Sequence, residues 1–229
     1  MKPANDIKGF TLLEILIAIS LFAALTAMLY PAYIGTFHNM DITESHASVY
    51  RMARIAIDRI SEDLACACIP GTDEDGDSDL TYSHAFLGTD SELYGRNADS
   101  LEFISEEHLP FNDAISAGRG RIKYYIKEHE DEDGFILYRS DNLELGNKSE
   151  YEETGELILC KDVNSLNYTY WDEDGEDSDY WDSSSGSSKG KLPSMVTVEL
   201  EFRNEFDPEL PIKFITSISI PMAMRKYGP

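Results

Sequence analysis

"KGFTLLEILIAIS" occupies residues 8–20 and opens an apolar run that continues to Tyr30. Between Phe10 and Tyr30 the only charged side chain is Glu14. At about 1.5 Å of rise per residue, such a run is long enough to cross a hydrocarbon core of roughly 30 Å. Pro31 follows, and a proline ends or kinks a helix because it has no N–H to donate. Lys2 and Lys8 precede the run, and the next lysine or arginine is Arg51. Positive charge on one flank retains that flank in the cytoplasm, so residues 1–9 are expected inside and the rest outside.

A carboxylate in an apolar run needs a reason. A cleavable secretory signal fits the charged start, but the run is long for one, and Leu25-Thr26-Ala27 is a poor small-residue cleavage site. A plain anchor gives no reason to carry the acid, which costs about 2.5–3.5 kcal/mol at mid-membrane and less near a helix end. The remaining reading makes the acid functional, and an acid in lipid then requires a cationic partner.

Lys8 followed by Gly9-Phe10-Thr11-Leu12-Leu13-Glu14 resembles the type III signal of type IV pilins and type II secretion pseudopilins. The likeness covers the short leader, the Gly–Phe junction, the acid four residues after Phe10 and the proline beyond the span. It implies that a prepilin peptidase cuts between Gly9 and Phe10 and methylates the new amine of Phe10. It also implies the missing partner: the Phe10 amine lies at nearly the same depth as Glu14. In a filament it would pair with Glu14 of its own chain or of a neighbour, setting register during assembly. Ion pairs gain strength where the dielectric is low, and leaving one partner alone there is costly.

The net charge is −24, and residues 1–40 contribute none of it, since Lys2 and Lys8 offset Asp6 and Glu14. The acidic remainder repels nucleic acid, which excludes it as a partner. At 42% hydrophobic residues the chain carries enough apolar side chains to fold. The three cysteines, Cys66, Cys68 and Cys160, form no zinc-type spacing. In an exported domain Cys66 or Cys68 could bond Cys160; buried thiols are the alternative, and both stay open.

Val49, Met52, Ala53, Ala56, Ile57, Ile60 and Leu64 recur at helical spacing, with Arg51, Arg54, Asp58, Arg59, Glu62 and Asp63 on the other face. The spacing predicts an amphipathic helix that prolongs the membrane segment and stops before Pro70-Gly71. Beyond it the period becomes two. Strands are expected over residues 100–105, 121–128, 135–139, 156–161, 165–171, 195–203 and 212–220, with a hairpin closing at Gly134. The fold class is therefore α+β: one long N-terminal helix on an antiparallel sheet. The expected divisions are a leader at 1–9, a transmembrane helix at 10–30, the outer half of the helix at 31–70 and a β-rich domain at 71–229.

Catalytic signals are lacking. The five histidines are scattered, with no HExxH, GxSxG, phosphate-binding or dinucleotide-binding pattern. Asp-Glu-Asp-Gly occurs at 73–76, 131–134 and 172–175, where Asp and Gly most simply make turns. Calcium candidates are Asp172, Asp174, Asp177 and Asp179, in an acidic stretch at 172–190 that reads as an exposed loop. Trp171 and Trp181 read as loop anchors or core. No enzyme is expected.

Within that superfamily, "RMARIAIDRISEDLA" at 51–65 resembles the arginine-rich helix of the J-type minor pseudopilin of type II secretion. Tyr168-Thr169-Tyr170-Trp171, Trp181, "LPSMVTVELEF" at 192–202 and Ile220-Pro221-Met222 resemble its closing region; the cysteines and the acidic stretch depart from it. The resemblance implies a non-catalytic subunit of the inner membrane, with its C-terminal domain in the periplasm. It would sit at the pseudopilus tip, bind I-type and K-type minor pseudopilins and the major pseudopilin, prime assembly and support export across the outer membrane. The runner-up is a minor pilin that primes a type IV pilus. A membrane-anchored periplasmic enzyme or binding protein is the alternative of a different class; it would tolerate changes at Gly9 and Glu14.

Overall fold

The computed structural model describes residues 10–69, 85–105, 120–129, 134–143 and 156–223. The leader at 1–9 with Gly9, the Asp-Glu-Asp-Gly at 73–76 and residues 131–133 lie outside the described residues. The chain divides into two compact units, Met1–Ser48 and Val49–Pro229.

Helix α1 runs over Leu12–Ala65 and continues past Pro31. Its apolar segment is long enough to cross a membrane, and its side chains there are exposed rather than packed inside the protein. Hydroxyls in this stretch bond back to their own helix. Ser20 donates to the Leu16 carbonyl at 2.8 Å and Thr26 to Phe22 at 2.8 Å. A polar group in lipid must find its partner within the protein, and these do so within one turn.

In the second unit the last turns of α1 supply Val49, Ala53, Ala56, Ile60 and Leu64 to the core. The alanines are fully buried, so backbone and sheet approach closely at their positions. The helix ends by tightening: Cys66 and Ala67 N–H donate three residues back, to Asp63 and Leu64 carbonyls. Cys68 N–H then donates to the Ile104 carbonyl, carrying the chain onto the sheet.

The strands are β1 (Phe86–Thr89), β2 (Glu92–Leu93), β3 (Arg96–Asn97), β4 (Ser100–Ser105), β5 (Gly120–Glu128) and β6 (Phe135–Leu143). They continue with β7 (Glu156–Trp171), β8 (Asp177–Ser178), β9 (Trp181–Asp182), β10 (Met195–Phe202) and β11 (Ile212–Ser219). The main sheet has the order β11-β10-β7-β6-β5-β4-β1-β9, with β8 on β7, and every strand pair is antiparallel. β2 and β3 form a separate ribbon, turning at Tyr94 and Gly95 with positive φ. The hairpin expected at Gly134 is β5–β6.

Two expected strands, 156–161 and 165–171, are one strand of 16 residues. The chain is kept extended through Asp162, at φ 59°, and the register shifts there against β6 and again against β10. The bulge hands β7 from one neighbour to the next. Past the bulge Leu166 meets Ala98 in a parallel bridge, so the sheet curls toward itself. Inside the curl Phe86 stacks on Phe103 (5.8 Å) and Phe103 on Tyr124 (6.4 Å). Gly88 of β1 carries the Tyr170 ring, which lies 2.0 Å from where a Cβ would stand, so only glycine fits.

Residues 172–190 are more ordered than a plain loop. Trp181 is buried in β9 against β1, and its indole N–H donates to the Lys191 carbonyl at 3.1 Å. Asp182 is buried too and accepts from Ser184 N–H at 2.8 Å and Ser185 Oγ at 2.7 Å. Apolar burial of Trp181 anchors an otherwise acidic segment, as its reading as an anchor or core residue expected.

Candidate functional site

Phe10 lies just before α1, exposed, and Glu14 lies in the first turn. Thr11 caps the helix. Its Oγ1 accepts from Glu14 N–H at 3.3 Å, while Glu14 Oε2 accepts from Thr11 N–H at 3.2 Å and from Thr11 Oγ1 at 3.3 Å. This reciprocal arrangement satisfies two N–H groups that a helix start otherwise leaves unpaired. Glu14 thus has a local partner in Thr11. The Thr-x-x-Glu spacing was the available signal; reading the run only for hydropathy passed over it.

A second polar cluster is buried in the folded domain. Asp63 belongs to the core side of α1 and not, as the helical spacing suggested, to its solvent face. Its Oδ2 accepts from Arg139 Nε at 2.6 Å and from Tyr124 OH at 2.5 Å, and its Oδ1 faces Arg59 Nη2 at 2.6 Å. Arg139 Nη1 reaches Asp141 Oδ2 at 3.0 Å. Burial works against the Arg139 charge, but the hydrogen bond and charge of Asp63 outweigh it and raise the pKa. Burial, reinforced by Asp63, likewise raises the pKa of Tyr124. Alternation places Phe135, Leu137, Arg139 and Asp141 on one side of β6, which is how an arginine enters the interior. The cluster is arranged as a structural clamp between helix and sheet: every carboxylate in it is already engaged.

Asp99 closes the curl. Where β6 has left β7, its Oδ2 accepts from Tyr168 N–H at 2.8 Å and its Oδ1 from Ser91 N–H at 3.1 Å. Burial, only partly offset by those two bonds, pushes its carboxyl up to about 6 from an ordinary 3.8. The folded pKa lies above the unfolded one, so the folded state takes up the proton first. The resulting stabilisation is complete below about pH 4 and is lost as pH rises through about 6. Asp99→Asn should therefore remove about 1–2 kcal/mol of the stability gained between pH 7 and pH 4. Urea melts of both forms across that range check this, and superimposable pH profiles would refute it.

The remaining sequence candidates do not converge. No disulfide joins Cys66, Cys68 and Cys160. Cys160 is packed in the main core, while Cys68 packs with Ala85 and Ile104 in a separate cluster. Burial, with a lesser effect of Asp162, pushes the Cys160 thiol up to about 12. Of the calcium candidates, Asp172 uses Oδ1 to accept from Asp174 and Glu176 N–H, each at 2.9 Å. That bonding and Gly175 at φ 82° build the β7–β8 turn, and Asp177 is drawn into β8 opposite Trp171. Among the described residues no three acidic, histidine or cysteine side chains are grouped to hold a metal.

Comparison with protein families gives two matches. Residues 5–30 match the prokaryotic N-terminal methylation motif, which spans the capped helix start. Residues 33–209 match the model described as type II secretion system (T2SS), protein J. No curated protein matches the chain. With a helix start that fits a methylated pilin-type N-terminus, a helix on a curled antiparallel sheet, and a family match covering most of its length, the chain belongs to the T2SS protein J family of structural pseudopilin subunits.

Proposed function

We propose that this chain is a minor pseudopilin at the tip of the secretion pseudopilus, where it primes assembly with the I-type and K-type minor subunits. A prepilin peptidase removes residues 1–9, leaving methylated Phe10 as the N-terminus. The span holds the subunit in the inner membrane with its folded domain in the periplasm. On leaving the membrane for the filament, it places Glu14 against a Phe10 amine and adds the major pseudopilin below it. Its work is binding; the absence of catalytic motifs in the sequence supports that reading. The observation that carries the proposal is the Gly9-Phe10 junction four residues ahead of Glu14, joined to the family match.

Intact mass of the membrane protein, with and without its prepilin peptidase, tests it. The expected result is loss of residues 1–9 and gain of one methyl group, only when the peptidase is present. An uncut chain, or a cut near Ala27, would remove the filament pathway.

A further inference from the structure

β11 is the last strand of the sheet, and among the described residues nothing pairs with its outer edge. The donation from Ile220 N–H to the Ser194 carbonyl sets the phase of the β10–β11 ladder. Alternation then turns the backbone groups of Phe214 and Thr216 toward β10 and those of Lys213, Ile215 and Ser217 outward. Alongside this edge runs a groove of about 650 Å³, lined by Tyr50, Arg51, Arg54, Ile57 and Asp58 of α1 and by Phe214, Ile215 and Thr216 of β11. Tyr50 packs edge-on against Phe214 at 5.0 Å and is still 59% exposed; Ile215 is 60% exposed.

The groove's charge is opposite to that of the molecule. Arg54 reaches Asp58 at 3.5 Å, but Arg51 makes no ion pair with a described residue, leaving a net positive site on a chain of net charge −24. An edge with outward N–H and C=O groups beside an apolar, basic groove matches an added strand that has apolar side chains facing Tyr50 and Phe214 and an acid facing Arg51. A second copy of this chain meeting the same edge about a two-fold axis would set arginines against arginines, which disfavours it.

We infer that the outer edge of β11 and the adjoining flank of α1 accept an acidic β-strand from a different subunit of the pseudopilus. This rests on the assembly role proposed above and names the surface that role would use. Unpaired edges invite aggregation unless something covers or blunts them, and an added strand covers this one.

The test uses the full-length chain in cells carrying the whole secretion system. A photo-crosslinking phenylalanine derivative replaces Ile215, and the crosslinked peptides are sequenced. The expected product joins position 215 to an Asp- or Glu-containing strand of another pseudopilin. Arg51→Glu with Arg54→Glu should lower its yield at least about tenfold, because opposed charges across an interface become like charges. Changing the mapped acid to Arg should then restore it. In a second variant Ser217→Pro removes an outward N–H, which an edge strand tolerates, and the yield should fall again. Tryptophan-fluorescence melts verify that each variant is folded. Crosslinks only to a second copy, a secreted protein or lipid, or yields indifferent to the charge reversal, would overturn the inference. Leader removal is scored in the same cells: an uncut chain defeats the assembly reading itself, whereas a cut chain without the crosslink defeats this surface alone.

Discussion

Arg139→Met is expected to destabilise the folded domain by about 3–5 kcal/mol, the usual cost of removing one partner from a buried ion pair. Arg139 is wholly buried, and its loss leaves Asp141 without the guanidinium that neutralises it. Asp63 would keep Arg59 and the Tyr124 hydroxyl, so the damage is concentrated at the sheet end of the clamp. The penalty follows from removing one partner of a buried ion pair and not from the pair's net worth, since both ions also had to leave water on folding. A double-mutant cycle separates the two. Asp63→Asn with Arg139→Met should cost clearly less than the two single changes summed, because the residues share one hydrogen-bonded contact. Both tryptophans, Trp171 and Trp181, lie in the folded domain, so fluorescence-monitored urea melts report on it selectively. An unchanged midpoint for Arg139→Met would show that the charge is solvated.

Glu14 supports a comparison that the capping box makes decisive. Glutamine retains an acceptor oxygen for Thr11 N–H but carries no charge, whereas leucine removes both. The cap itself is worth about 1 kcal/mol. If the proposed pairing with a Phe10 amine operates, Glu14→Gln and Glu14→Leu both lower incorporation into the pseudopilus, by at least about tenfold, with leader removal retained. If Glu14 serves only its own helix start, Glu14→Gln keeps near-normal incorporation and only Glu14→Leu fails. Incorporation is read by co-isolation with the major pseudopilin from sheared filaments, and cleavage by intact mass.

Hydrophobic period carried much of the architecture. Val49, Ala53, Ala56, Ile60 and Leu64 are the buried stripe that their spacing implied, and the alternation of Val196, Val198, Leu200 and Phe202 is that of β10. Where period failed, ions were the reason. Asp63 and Arg139 look solvent-directed when each is read alone, because neither sequence position discloses that the other will neutralise it across 76 residues. Alternation breaks β7 at residues 162–164 because a single left-handed residue, Asp162, interrupts it without ending the strand. β1 and β9 are four and two residues long, too short for a period to emerge, and β9 hides inside acidic sequence. At the helix start the residues were legible and their resemblance pointed to assembly; the cap that also occupies Glu14 was signalled by Thr-x-x-Glu, which a reading for hydropathy alone passes over.

The self-bonded hydroxyls of α1 bear on how such a segment would move. Ser20 and Thr26 spend their protons on carbonyls one turn behind them. A neighbour lying alongside therefore finds no free donor to grip between Leu16 and Leu29, only aliphatic contours, the Phe22 ring and the Met28 thioether. Under the assembly proposed above, any polar latch between such segments would fall to the helix tip. Under the proposed pairing, one carboxylate would act as the pawl on an otherwise smooth shaft.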